Sequence, residues 1–312
     1  MACLAATGWS FDQASKNLWE LTGLDVSDQT IRRVAEAEGV KAHDWMEESV
    51  CAVKAVKETA GNAEFLSDGT IVNTRAGWQE VRLSVASKRA AGEASDPASF
   101  KGLDARGLPQ PAARLVLVNK LDSDGMGELW DRLSARLGWG RGESLSVISD
   151  GAKWIAARAM EVWPKAERVV DVFHVSQHLH QCGQALHGEE TEQAREWAVD
   201  RLVELVREGP SVLLWRLERQ AAEQKQGVKR HALESLLGYL RPNQPALRYG
   251  DRLTRGLPIG SGQIEGACKT VVGRRLKLNS ARWTPANIEP IGSLCGLQYS
   301  DLWEDYWSAR AA

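Results

Sequence analysis

A chain of 312 residues with 43% apolar content has enough hydrophobic mass for one sizeable core with smaller modules appended, two or three structural units in all. No apolar run approaches the roughly 18 to 20 residues needed to span a bilayer, and the first residues lack the basic and apolar stretches of a secretory signal, so a cytoplasmic protein without membrane contact is expected. Thirty-nine basic against 41 acidic residues give a net charge of −2, which excludes coating of nucleic acid by bulk charge and leaves only local contacts of that kind.

In chain order, apolar positions at Phe11, Ala14, Leu18 and Leu21 predict a first helix, broken at Gly23-Leu24-Asp25. Ile31, Val34 and Ala35, after a Ser27 cap, predict a second. Two helices around a turn suggest a helix-turn-helix with Arg32 and Arg33 offered to DNA. Plain helical packing is the other reading, since residues 1–50 hold nine acids against four bases.

From Glu64 the pattern becomes extended. Phe65 to Val72, Val81 to Val85 and Arg114 to Leu121 read as three strands in a meander. The connection Ala90 to Ala113, rich in Ala, Gly, Pro and Ser, reads as a mobile surface loop. A helix over Met126 to Leu137 follows, then a short buried strand, Leu145 to Ser149, ending at Asp150. Next come a helix at Trp154 to Met160, a strand at Arg168 to Phe173 and a helix at His174 to Leu186. Residues 189–250 are charged, tryptophan-bearing and helical throughout.

This order predicts an α/β fold with a ribonuclease-H-like mixed sheet. Residues 61–188 and 251–312 would form it, interrupted by an all-helical insertion at 189–250 and preceded by a small helical, helix-turn-helix-like unit at 1–60.

That topology gathers three acids that lie 82 and then 115 residues apart in sequence. Asp68 lies within the first strand, and Asp150 sits just past the fourth, its neighbour in such a sheet, at the carboxyl edge where ligands collect. Glu265 follows in a helix whose apolar positions Ile264, Ala267, Cys268, Val271, Val272 and Leu276 define one face. On that wheel Glu265 falls between Val272 and Leu276. A core-facing carboxylate there calls for a cation shared with the two aspartates. Arg275 also falls within the apolar arc, which suggests a bend at Gly273. Taken singly, Asp68-Gly69 and Asp150-Gly151 are ordinary turn signals; the order of the three acids is what makes a site.

Three carboxylates suit Mg²⁺, two ions of which, roughly 3.5 to 4 Å apart, serve phosphodiester transfer, with Mn²⁺ as a substitute. The five scattered cysteines, with no Cys-x-x-Cys pair, point away from both a zinc ribbon and a disulfide framework. His174 and His178, one helical turn apart, also have the spacing of a ligand pair. Asp171 just before them reads as a helix cap, with His174 either packed or directed at the scissile phosphate.

The strings Ser67-Asp68-Gly69-Thr70, Ser149-Asp150-Gly151-Ala152, Asp171-Val172-Phe173-His174 and Gly256-Leu257-Pro258-Ile259-Gly260-Ser261-Gly262-Gln263-Ile264-Glu265 resemble the Kra-type insertion-sequence transposases. These are DDE enzymes related to the mutator-like and hAT-like superfamilies, whose catalytic domain carries a helical insertion before the catalytic glutamate. The resemblance runs from about Phe11 to Trp307, and its most specific part is Gly-Ser-Gly-x-x-Glu with the following Lys269. It implies that Asp68, Asp150 and Glu265 are catalytic metal ligands and that His174 is an accessory catalytic residue. It also implies cleavage and strand transfer on double-stranded DNA, both element ends and target. Paired ends imply a homodimer or larger synaptic assembly, associated with the nucleoid.

Lys269, Arg274, Arg275, Lys277 and Arg282 form a basic run free of acids, expected to meet phosphates, and Trp283 is placed to stack on an unpaired base. Two other readings stand beside the transposase: a nuclease of the same fold that does not join strands, and a domesticated DNA-binding protein without catalysis.

Overall fold

In the computed structural model, which describes residues 1–103 and 108–311, the chain opens with α1 (Ala2–Gly8), α2 (Phe11–Thr22), α3 (Asp28–Glu48) and α4 (Val50–Glu58). Serines start three of these helices. The Ser10, Ser27 and Ser49 hydroxyls each accept a backbone N–H from the first turn of α2, α3 and α4, satisfying donors that a helix start leaves unpaired. Both helices expected before residue 50 are present, and the second continues to Glu48.

Strands β1 (Asn62–Thr74) and β2 (Gly77–Arg89) form a long hairpin, and β3 (Ala113–Asn119) pairs antiparallel with β2. Then follow α5 (Ser123–Leu137), β4 (Leu145–Ser149), α6 (Lys153–Val162), β5 (Glu167–Val170) and α7 (Val172–His187). The five-stranded sheet has the order β3-β2-β1-β4-β5, with β4 and β5 parallel to β1. This is the mixed sheet that the sequence order predicts. The last strand stops at Val170 rather than Phe173, because Asp171 caps the next helix by accepting the Phe173 N–H.

One face of the sheet is closed by aromatic packing. Phe65 on β1 lies 5.0 Å from Trp130 on α5 and 4.6 Å from Trp163, centroid to centroid. Both indoles are satisfied, by Ser84 and Ser134 hydroxyls, as burial of an N–H requires. Side chains alternate along a strand, so Glu64, Leu66 and Asp68 share the opposite face.

Between residues 189 and 250 the helices α8 (Glu192–Glu208), α9 (Pro210–Glu223) and α10 (Val228–Asn243) pack in sequence, and α10 returns onto α7. The chain goes on through α11 (Tyr249–Thr254), α12 (Gly262–Ala267), a π-helical turn at Cys268–Gly273, α13 (Arg274–Leu276), α14 (Ile288–Tyr299) and α15 (Trp303–Ala311). Helix α14 lies against β3 and α3, and α3 is anchored by buried Ile31, Ala35, Ala42 and Met46. The N-terminal helices therefore share the core with the sheet.

The connection from β2 to β3 differs from the mobile surface loop expected. Gly92 and Ser95 donate backbone N–H groups to the carbonyls of Gly256 and Leu253. Phe100 is buried, and its carbonyl accepts two bonds from Arg207. These contacts fasten the segment across the junction between insertion and sheet; residues 104–107 of that loop lie outside the described residues.

Candidate active site

The parallel register of β1 and β4 ends with Leu66 opposite Ile148. Two residues further on stand Asp68, still on β1, and Asp150, just past the end of β4, close enough for their charges to interact. Each uses one oxygen locally: Asp68 Oδ1 accepts the Gly69 N–H at 2.7 Å and Asp150 Oδ1 accepts the Ala152 N–H at 2.8 Å. Burial pushes the Asp68 carboxyl above the ordinary aspartate range, and the charges of Asp150 and Glu265 push it the same way. The Gly69 N–H and the nearby His174 act in the opposite direction.

Glu265 differs from expectation. Its side chain is 40% exposed and pairs with Lys269 at 3.5 Å, whereas the helical wheel turns it toward the core. The wheel assumes 3.6 residues per turn throughout, and the π-helical turn at Cys268–Gly273 breaks that phase between Glu265 and its supposed neighbours Val272 and Leu276. Helix α12 is held to the sheet through its own first turn instead, where the Gln263 amide donates to the buried carboxylate of Glu64 on β1. Glu64 is paired in turn with Arg89 at 3.0 Å.

Among the described residues, no three His, Cys, Asp or Glu side chains converge closely enough to hold one ion. The donor chemistry nevertheless fits a hard divalent cation. The three acids supply only carboxylate oxygens, the hard donors that such a cation takes.

Asp171 is the hub that sequence reasoning reduced to a cap. Fully buried, it accepts the Phe173 N–H, the Ser261 N–H at 3.1 Å and the Ser261 hydroxyl at 2.8 Å. It also pairs with His174 Nδ1 at 2.8 Å. One carboxylate thus ties the end of β5 to the Gly-Ser-Gly turn that launches α12. The turn needs its first glycine, because a Cβ on Gly260 would sit 3.0 Å from the Phe173 ring. The Asp171 hydrogen bond raises the His174 pKa, and the charges of Asp171, Asp150 and Asp68 add to it. His178 is not a partner in this; its ring lies 3.9 Å from that of Tyr239, centroid to centroid.

Tyr239, on α10, is the residue the sequence gave no reason to choose. Its hydroxyl donates to the Asp150 carbonyl at 3.0 Å and closes over Gly151, where φ is +89° and a Cβ would meet that hydroxyl at 3.1 Å. The insertion thereby presses directly on the loop that carries the second aspartate.

A transposase family model matches residues 133–241. This transposase-like segment contains Asp150, Asp171, His174 and Tyr239, and the model is of the DDE type. Asp68, on β1, and Glu265, on α12, lie outside it. Among curated proteins, none matches the chain.

The basic residues expected to meet DNA are divided by the fold. Arg33, Arg274 and Arg282 are exposed, and Arg32 is half-exposed and paired with Glu36 at 2.7 Å. Lys277 bonds the Thr70 hydroxyl on β1. Arg275 and Trp283 are corrections to the expected DNA-facing set. Arg275 is 3% exposed and donates to the Ala6 carbonyl, and Trp283 is 7% exposed and donates to the Leu276 carbonyl. The Arg275 guanidinium lies over both the Phe11 and Trp283 rings, so the tryptophan offers no free face to a base.

Proposed function

We propose that the chain is a DNA transposase that cuts and joins strands by metal-dependent phosphodiester chemistry at Asp68, Asp150 and Glu265. The observation that carries this reading is the pairing of parallel β1 and β4, which brings Asp68 on β1 near Asp150 just past the end of β4, the latter inside a segment similar to DDE transposases. The Kra-type resemblance of the Gly-Ser-Gly-x-x-Glu string adds Glu265.

Asp68 and Asp150 would hold Mg²⁺ or Mn²⁺, with Glu265 released from Lys269 to complete the donor set. When bound, the divalent ions supply an activated oxygen nucleophile and stabilise the leaving oxygen. The chain's own work is positioning. Asp171 fixes the ring of His174 and the Ser261 turn together, so that the imidazole and the helix bearing Glu265 are held as one unit. Tyr239 holds the backbone of Asp150. In the cut, a water oxygen bonds to phosphorus and the bond to the 3′ oxygen breaks, leaving a 3′-hydroxyl and a 5′-phosphate. In the joining step that 3′-hydroxyl attacks a target phosphodiester, releasing another 3′-hydroxyl.

The test is single-turnover cleavage of a duplex carrying candidate element ends in Mg²⁺, with cut and joined products separated. Asp68→Asn, Asp150→Asn and Glu265→Gln should each lower both products by orders of magnitude while DNA binding persists, and their losses should not multiply when combined, because the acids act as a unit. In chelator, Asp68→Asn should melt no lower than wild type, since the amide removes the repulsion. A Glu265→Gln protein cutting at the wild-type rate would remove Glu265 from the site, and cutting without joined product would make the protein a nuclease.

A further inference from the structure

A cavity of about 270 Å³ opens at the far end of β1, lined by Arg32, Arg75, Arg275 and Arg282 with Glu36 as its one acid. Glu36 is already engaged by Arg32. Among the described residues, the side chains of Arg75 and Arg282 are exposed and have no ion-pair partner. Arg275 is buried in the wall, its Nη2 has no hydrogen-bond partner, and aromatic rings and a carbonyl hold it where an acid would be expected. Burial without a counterion lowers its pKa to about 10. The exposed guanidinium groups of Arg75 and Arg282 are thus left uncompensated at one opening, with the buried Arg275 behind them in the wall, and an anion entering it meets positive charge whose one neighbouring acid is already paired.

The cavity is tied to the catalytic strand. Trp283 bridges to Thr74 at the end of β1, and the Arg75 N–H donates to the Trp283 carbonyl. Seven residues of strand separate Asp68 from Arg75, about 23 Å at roughly 3.3 Å per residue. That is the span of about seven nucleotides at roughly 3.4 Å per step.

Resting on the transposase reading above, we propose that this cavity seats a backbone phosphodiester of the DNA, about seven nucleotides from the phosphate at the carboxylates. Guanidinium groups match phosphate oxygens in geometry and charge. The contact positions the duplex without reading its sequence.

Binding of a duplex long enough to cover both points is measured by fluorescence anisotropy between about 50 and about 200 mM salt, for wild type, the double variant Arg75→Ala/Arg282→Ala, and Glu36→Gln. The double variant should bind more weakly, with the slope of log K against log salt reduced by about 0.9, the share of the one phosphate that the cavity holds. Glu36→Gln, which frees Arg32, should bind more tightly. Both substituted arginines are on the surface, so the melting temperature should not move. An unchanged affinity and slope in the double variant, from a wild-type protein that still cuts DNA, would overturn the cavity assignment alone. If inorganic phosphate raised the wild-type melting temperature while the double variant kept the wild-type slope, the cavity would belong to a free anion, and the proposal would fall. A wild type that neither binds nor cuts the duplex would instead sink the transposase reading beneath it.

Discussion

Asp171 shows how much one buried carboxylate can carry. A helix cap alone contributes about 1 kcal/mol, but Asp171 also satisfies two donors of Ser261 and orients His174. Asp171→Ala strips these buried groups of their acceptor, so the loss should reach roughly 2 to 4 kcal/mol, measurable by urea denaturation. His174 adds a pH dependence of definite sign. Its folded pKa is raised, so the stability it contributes is fully present below its unfolded value, near about 6.5, and is lost as pH rises through the higher folded value. The stability gap between wild type and His174→Gln should accordingly be widest in mild acid and narrow toward alkaline pH; a gap that is flat across this range would show that the imidazole is held by packing alone. His174 and Asp171 were visible in sequence as a motif. Their connection to Ser261, 90 residues away, was not, because no local pattern records a contact between a strand end and a distant turn.

At the scale of elements, α10 and the π-helical turn matter most. The insertion was legible as helical from its charge and lack of strand signal, but nothing in the periodicity of residues 228–243 marks Tyr239 as different from any half-buried tyrosine. Only the return of α10 onto α7 brings its hydroxyl to the Asp150 carbonyl. Tyr239→Phe removes that bond and keeps the ring on His178. It should cost about 1 kcal/mol of stability and lower the cleavage rate by more than it weakens DNA binding, checked by single-turnover kinetics beside anisotropy. Equal cleavage rates would reduce the tyrosine to packing. The π-helical turn explains the opposite failure. Glu265 was judged from a uniform wheel, and an irregular turn shifts the phase of everything beyond it, so a carboxylate expected in the core stands half-exposed beside Lys269.

For the molecule as a whole, the N-terminal helices decide how the protein can be divided. A separable DNA-reading module would leave a catalytic domain that folds without it. Here α3 supplies Ile31, Ala35, Ala42 and Met46 to the common core, packs on α14, and α1 accepts the buried Arg275 through the Ala6 carbonyl. Removing residues 1–48 should therefore uncover the faces of α14 and the sheet that they cover and yield aggregated protein, detectable by size-exclusion chromatography and loss of a cooperative melt. A monodisperse, cooperatively melting truncation would restore the modular reading.

The sequence by itself determined the order of strands and helices from β1 to α7, the end of β4 just before Asp150, the serine start of α3, and the three acids as candidates, because periodicity, caps and turn residues act over a few positions and leave local marks. The tertiary structure decided which charges face one another. It put Asp68 beside Asp150, buried Arg275 and Trp283, fastened the β2–β3 connection to the insertion, and left Arg75 and Arg282 uncompensated at an open cavity. Burial and charge pairing depend on neighbours tens to hundreds of residues away, so no local pattern in the chain could have specified them.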